Sequence, residues 1–426
     1  MVKLKNYIAN NILIRIASLN SVSVFTKIIS GLLTSKAIAF FVGAEGLALL
    51  GNLRNFMSSI QSLSILGLSK GTVKYIAEFK SNNEELSKLV STIYILSFLV
   101  TIIMSFYCYF NSISISEAIF AGNNQYDYII KVFAVALPFY ASNAFLISVL
   151  NGLTKFKKVL LINILSQIIG VSITLFLILN YSINGALISL VLIPVVLFLI
   201  TLFWVSDFKG VVKLISVNNV SARHLKSLSA FSMMALFSAI VIPLVLLYIR
   251  LYIIENIGES YAGFWEAITR ISKYYLMFVT SLLALYILPK FSILKTDREF
   301  KNEVFKFYKT IIPFFGLGLV IIYFLREYII RFVFTKEFLP VQDLFLWQLV
   351  GDFFKVLSLV IAYQFFAKKM FWYYLLTELF SVVVLYILSI VLIDIYGLKG
   401  VTMAHALSYL LYYLLILLIF RKKLFS

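Results

Sequence analysis

Long apolar runs, separated by short charged or glycine-containing stretches, make up most of the chain. A helix rises 1.5 Å per residue and the hydrocarbon core of a bilayer is about 30 Å thick, so about 20 apolar residues are needed to cross it. Runs of that length fall near 21–43, 46–68, 88–110, 129–152, 158–180, 184–204, 230–254, 262–288, 308–326, 344–367, 371–394 and 399–420. They predict an all-α polytopic membrane protein with twelve transmembrane helices. Membrane-spanning strands would instead alternate apolar and polar positions over about ten residues, and these runs do not alternate.

Composition agrees with that pattern. Of the 426 residues, 62% are hydrophobic and 13% are charged, against about 25% charged in an ordinary soluble domain. The net charge of +18 comes from 37 Lys and Arg against 19 Asp and Glu. Most of these cations fall in loops that the predicted spans place on one side. They are Lys3, Lys5 and Arg15; Lys70, Lys74, Lys80 and Lys88; Lys155, Lys157 and Lys158; Lys209, Lys213, Arg223 and Lys226. The same side continues with Lys290, Lys295, Arg298, Lys301, Lys306 and Lys309, then Lys368 and Lys369, then Arg421, Lys422 and Lys423. The opposite side has only Lys131, Arg326, Arg331, Lys336 and Lys399. The positive-inside rule then puts both termini in the cytoplasm. The basic residues are spread over seven short loops, so the charge reads as topology and not as a nucleic-acid surface.

The chain also repeats itself at about half its length. Tyr181 to Ala186 matches Tyr396 to Val401, and Lys155 to Asn163 lies opposite Met370 to Glu378 at the same shift. Arg54 lies opposite Arg270, and Lys74 opposite Lys290. Each repeat holds six predicted spans. An even number keeps both repeats the same way up, giving two parallel six-helix lobes, 1–208 and 209–426, with a cavity expected between them.

Seven cations remain inside the predicted spans: Lys27, Lys36, Arg54, Arg250, Arg270, Lys273 and Lys355, against the acids Glu266, Asp352 and Glu378. A cation at a helix centre costs on the order of 2.5–3.5 kcal/mol on insertion scales, so each should pair, meet water or snorkel to an interface. Arg54 sits too deep to snorkel, on a helix polar enough to line water through Asn52, Asn55, Ser58, Ser59, Gln61 and Ser62. Glu266, Arg270 and Lys273 share one helix face, so Glu266 either neutralises Arg270 or leaves it to act on a substrate; Asp352 lies three residues before Lys355. Arg250, near the outer end of its span, is expected to be able to snorkel. Lys27 and Lys36 point to opposite faces of a straight helix, with Gly31 between them. His405 reads as a core histidine, and Glu378 as a candidate proton or cation site beside Asp352 and Glu266. Pro138, Pro194, Pro243, Pro289 and Pro313 fall in or at the ends of spans and predict kinks.

A net cationic, water-lined interior suits an anionic substrate, because guanidinium groups pair well with phosphate oxygens. An exporter of cationic drugs would want the opposite sign. Cys108 is the single cysteine, and the two histidines, His224 and His405, are far apart; no metal or nucleophile motif is present. No cofactor is expected. No Walker A sequence is present either, so a transporter would draw on a gradient or on downstream metabolism. A polymerase, ligase or glycosyltransferase would need a large external loop, and the longest outer segments, near 111–128 and 327–343, are short.

Several stretches together resemble the Wzx family of flippases for lipid-linked O-antigen and enterobacterial common antigen oligosaccharides. They are Lys27 to Lys36 with Gly31-Leu32-Leu33 between, Gly43, Gly46-Leu47, Asn52-Leu53-Arg54, and Gly71-Thr72-Val73-Lys74-Tyr75. Further on come Met234-Ala235-Leu236 with Pro243 and Arg250, Trp347-Gln348-Leu349-Val350-Gly351-Asp352 with Lys355, and Glu378. The resemblance runs the full length. It implies two lobes in a V around a central cavity, as in the superfamily of multidrug exporters and the lipid II flippase. It implies alternating access to an undecaprenyl-pyrophosphate-linked glycan, with an O-antigen unit as the leading substrate. Lipid III, or multidrug export on the same fold, is the alternative. It also implies a monomer in the bacterial inner membrane, working with a polymerase and a chain-length regulator. Lys27, Lys36, Arg54, Arg250 and Lys355 become candidates for the pyrophosphate. Glu266, Arg270 and Lys273 depart from the common-antigen pattern, which makes Arg270 and Lys273 candidates for reading the sugar. Asp352, Glu378 and Glu266 are candidates for ion coupling.

Overall fold

A computed structural model describes residues 12–204 and 214–425. Lys3, Lys5, Lys209, Lys213 and the expected lobe boundary at 208–209 lie outside the described residues. Within them the chain is helical throughout, with no strand. The elements begin with α1 (Ile12–Phe41), α2 (Gly43–Ser64), α3 (Ser69–Phe79), α4 (Asn83–Phe110) and α5 (Ser112–Ile119). They continue with α6 (Asp127–Gly152), α7 (Phe156–Trp204), α8 (Ala222–Asn256), α9 (Glu259–Leu282), α10 (Leu288–Ile293) and α11 (Asp297–Phe324). Last come α12 (Arg326–Val333), α13 (Phe345–Ala367), α14 (Phe371–Tyr396) and α15 (Leu398–Phe425).

Among the described residues nine helices are long and apolar enough to cross a membrane. One of these, α7, is 49 residues long and breaks at Ser182, where φ is 48°. Two expected spans, α2 and α9, are outside that set because they carry the polar and charged residues described below. These numbers are consistent with the twelve expected helices. Large apolar side chains face outward, Phe203 at 87% and Phe110 at 76% exposure. Water would oppose such exposure; lipid tails do not. Two of the long helices begin on side-chain caps where the chain leaves a loop. Asn82 accepts from the backbone N–H groups of Glu84 and Glu85 at the start of α4, and Thr296 and Glu299 form a capping box at the start of α11.

The halves of the sequence repeat meet the same backbone problem in the same way. Ser182 and Gly397 both have positive φ, 48° and 59°. Three residues on, Gly185 and Gly400 each press against a carbonyl eight residues back, that of Leu177 and of Leu392. A Cβ there would lie 1.9 and 2.0 Å from the oxygen. The matching Tyr181–Ala186 and Tyr396–Val401 segments are therefore the same tight helix-to-helix turn, and only glycine fits at the point of closest approach.

The chain packs as two compact units: the described parts of Met1–Ala37 with Phe56–Ala239, and Ile38–Asn55 with Ile240–Ser426. The first unit is built on an apolar cluster that includes Leu68, Ile76, Leu89, Val90, Ile93, Val149 and Leu228. Tyr140, buried in the same unit, donates its hydroxyl to the carbonyl of Val191. In the second unit α13, α14 and α15 pack together. The rings of Phe291, Phe300, Phe420 and Phe365 form a chain with centroids 5.0, 5.6 and 5.3 Å apart. That rigid aromatic wall supports the helices that carry the site.

Candidate functional site

Helix α9 organises the site. Its positions 266, 269, 270 and 273 recur at helical spacing along one face, and Ser272 and Tyr275 lie on the next. Around the first face three arginines converge on one carboxylate. Glu266 is 2% exposed. Its Oε1 accepts from Arg270 Nε at 3.0 Å, within the same helix, and from Arg54 Nη1 at 3.1 Å, from α2. Its Oε2 accepts from Arg250 Nη2 at 2.7 Å, from α8. Arg250 Nη1 also donates to Asn52 Oδ1 at 2.7 Å, and the guanidinium lies 5.2 Å from the Trp265 ring.

Of the two readings left open for Glu266, pairing with Arg270 is the one present, and two more arginines share the carboxylate. Arg250 does not snorkel. Helix α8 continues to Asn256, so Arg250 sits more than a turn inside its end and is 2% exposed. Space for this buried group comes from Gly51. A Cβ there would fall 2.7 Å from Glu266 Oε2 and 2.9 Å from Arg250 Cζ, so only a glycine lets α2 approach the pair.

A second cluster gathers on Asp352 of α13, which is fully buried. Its Oδ2 accepts from Ser272 Oγ at 2.6 Å, from the Tyr275 hydroxyl, and from Gln348 Nε2 at 3.2 Å. Its Oδ1 lies 3.1 Å from His405 Nε2, which is also 3.2 Å from Gln348 Nε2. His405 comes from α15, and its ring edge is packed on Gly351, where a Cβ would be 2.2 Å from Cδ2. The reading of His405 as a core histidine thus misses its partner: 53 residues of sequence separate it from Asp352, and only the close approach of α13 and α15 joins them. Lys355 forms no ion pair with Asp352 three residues before it. Its ammonium lies over the Tyr409 ring, 5.0 Å from the centroid, because Asp352 is already ringed by other donors. Glu378 of α14 is half-buried, has no hydrogen bond or ion pair among the described residues, and lies within electrostatic reach of Lys355.

Both clusters border one cavity of about 150 Å³ inside the second unit. Arg250, Glu266, Lys273, Lys355, His405 and Tyr409 are among its lining residues. Lys273 is exposed and forms no ion pair among the described residues. The Arg54 side chain is 37% exposed. Lined by Arg250, Lys273 and Lys355, this cavity has room for a small anionic group. Lys27, exposed, and Lys36, half-buried, lie on α1 in the first unit. Among the described residues no cluster of His, Cys, Asp or Glu could hold a metal ion.

Fold and site together define a multi-pass, all-helical membrane protein with a small cationic cavity built into one of its units. Residues 55–343 match the family described as Polysaccharide biosynthesis protein, and the chain belongs to that family. It is 28% identical over 408 residues to the lipid III flippase of Escherichia coli (strain K12), covering 94% of this chain and 97% of that protein. Among solved structures it is similar to an inward-facing multidrug resistance MATE family transporter of the MOP superfamily. The TM-score is 0.74, with 14% identity over 94% of each chain. It is also similar to the lipid II flippase MurJ in an inward closed conformation, with TM-score 0.73 and 17% identity over 96% of this chain and 89% of that one. At those identities the two structures speak to the fold.

Proposed function

We propose that this chain is a flippase. It moves an undecaprenyl-pyrophosphate-linked oligosaccharide from the cytoplasmic to the outer leaflet of a bacterial inner membrane by alternating access of two six-helix lobes, 1–208 and 209–426. The observation that carries this reading is the convergence of Arg54, Arg250 and Arg270 on the single carboxylate Glu266, which together with Arg250 and Lys273 lines the cavity. A surplus of guanidinium groups in a partly desolvated site is a phosphate-binding arrangement, since each presents several N–H donors in a fixed plane. A cavity of this sign repels the cationic drugs that a multidrug exporter would carry. The full-length similarity to a lipid III flippase supports the lipid-linked class of substrate.

Both termini face the cytoplasm in this reading, as the loop charges require. The pyrophosphate enters the cavity, where Lys355 is a further cationic contact, and the prenyl tail stays in lipid. Lys27 and Lys36, on α1 of the first unit, are separate candidates for contacting the pyrophosphate during the transport cycle. The glycan stays outside the cavity, and the exposed Lys273 and, behind it, Arg270 are the candidates for reading the first sugar. The leading substrate is an O-antigen unit; the similarity to the lipid III flippase supports a common-antigen unit as the second reading. The chain works as a monomer, supplying its product to a polymerase and a chain-length regulator. Asp352, with His405 as its partner, and Glu378, near Lys355, are the candidates for ion coupling, since a carboxylate buried among the spans is a site for a proton or a small cation.

Cells carrying Arg54→Ala are expected to accumulate cytoplasm-facing lipid-linked oligosaccharide, and those carrying Arg54→Lys to accumulate less. Normal glycan export in Arg54→Ala cells would sink the anion-binding reading. For coupling, Asp352→Asn combined with Glu378→Gln should remove the ion dependence of transport. Unchanged dependence would end that assignment.

A further inference from the structure

We propose that Glu266 is a built-in stand-in for the substrate's phosphate: it holds the three arginines together while the cavity is empty, and the incoming diphosphate displaces it. The proposal rests on the flippase reading above and adds a role for this carboxylate that differs from ion coupling.

Three features of the cluster support it. First, the number of partners exceeds what neutralisation needs. One cation would balance Glu266, yet guanidinium groups from α2, α8 and α9 all bond to it. Without an anion these three groups would repel one another in a poorly screened site. Secondly, the carboxylate leaves donors unsatisfied. Arg250 Nε and Arg270 Nη2 are buried and have no hydrogen-bond partner among the described residues. Buried polar groups are rarely left unpaired, and each such donor costs on the order of 1–3 kcal/mol. A diphosphate brings a second negative charge and additional oxygens, so it can take up donors that a carboxylate cannot reach. Thirdly, the cluster has an open side. Arg54 is partly exposed and Lys273 is exposed, while Arg250, Glu266 and Arg270 are closed off behind them. An anion can therefore approach from the cavity without first opening the helices.

The arrangement also solves a problem that any flippase has. Three arginines and a lysine around a diphosphate would bind it tightly, and a substrate bound equally well throughout the cycle is not released. An internal carboxylate that competes for the same N–H groups weakens binding and re-forms its own bonds as the substrate leaves.

The test uses the purified full-length chain in lipid nanodiscs, inorganic pyrophosphate as the probe, and titration calorimetry as the readout, with thermal unfolding to establish that each variant is folded. If Glu266 is a competitor, Glu266→Gln should bind pyrophosphate about tenfold more tightly than the wild type, equivalent to about 1.4 kcal/mol. Glu266→Asp keeps the charge but is one methylene shorter, so it should show a smaller gain, and it serves if the glutamine variant does not fold. Adding Arg250→Ala to Glu266→Gln should abolish the gain, which separates this site from adventitious binding. Equal or weaker pyrophosphate binding in a folded Glu266→Gln or Glu266→Asp protein overturns the stand-in role while leaving the flippase reading in place. No pyrophosphate binding by any folded form, wild type included, would overturn both.

Discussion

The Glu266 and Asp352 clusters border the same cavity and share helix α9, yet they are built on opposite principles. Around Glu266 the partners are charged: three arginines bond to one carboxylate, and two of their buried N–H groups are left over. Around Asp352 they are neutral donors and one imidazole: Ser272, Tyr275, Gln348 and His405. The first cluster is short of acceptors, and the second has a donor for each face of its carboxylate. Lys355, which could have made the second cluster resemble the first, instead lies over Tyr409. The difference assigns different chemistry to the two ends. A site short of acceptors attracts an anion from outside. A carboxylate whose oxygens are already taken by donors from α9, α13 and α15 ties those helices together.

The comparison can be broken most directly at Arg250. Arg250→Ala removes a buried partner from Glu266 and leaves Asn52 and Trp265 without their cation. Breaking a buried ion pair costs about 3–5 kcal/mol, so thermal unfolding should show a large loss of stability, and transport should cease. Next is Asp352→Ala, which leaves four donors facing a small void. With roughly 1–3 kcal/mol for each buried donor that finds no water, a loss of several kcal/mol is expected, whereas Asp352→Asn should cost much less. An equal cost for the two would mean that Asp352 acts by its charge, as Glu266 does, and would erase the contrast.

Gly351→Ala probes the contact that makes the second cluster. The new methyl would sit 2.2 Å from His405 Cδ2, and such overpacking costs about 1–3 kcal/mol. It should lower the stability to thermal unfolding by that amount while leaving pyrophosphate binding unchanged; altered pyrophosphate affinity would show that the two clusters are not separate. The smallest effect belongs to Lys273→Gln. This side chain is exposed and makes no ion pair among the described residues, so stability should change by no more than about 0.5 kcal/mol. Pyrophosphate affinity, measured by calorimetry, should fall by no more than about fivefold, the reach of a solvent-screened charge.

Much of the fold is legible in the amino-acid sequence. Spans can be read because the bilayer demands a fixed length of apolar helix with its backbone satisfied internally. The Tyr181–Ala186 and Tyr396–Val401 matches mark a real structural repeat, since both halves need a glycine at the same close approach. In the site, the pairing of Glu266 with Arg270 is visible because it is an i, i+4 relation on one helix. The same rule misleads at Asp352 and Lys355: a shared face is only an opportunity, and nearer donors from other helices take it. Arg250 departs from expectation for a related reason. Its helix runs further than the apolar run suggests, and its buried acid partner stands on a different helix.

By itself, then, the sequence determined that the chain is an all-helical membrane protein, which loops carry its positive charge, and that seven cations and three acids lie among the spans. These are properties of composition and helical period, which act locally along the chain. The tertiary structure alone decided which charges meet. Arg54 reaches Glu266 across 212 positions and His405 reaches Asp352 across 53. Helical period tells which face a side chain occupies on its own helix and nothing about which helix will be opposite. That choice is made by packing: Gly51 and Gly351 allow the backbones to come close enough for buried charged groups to find one another.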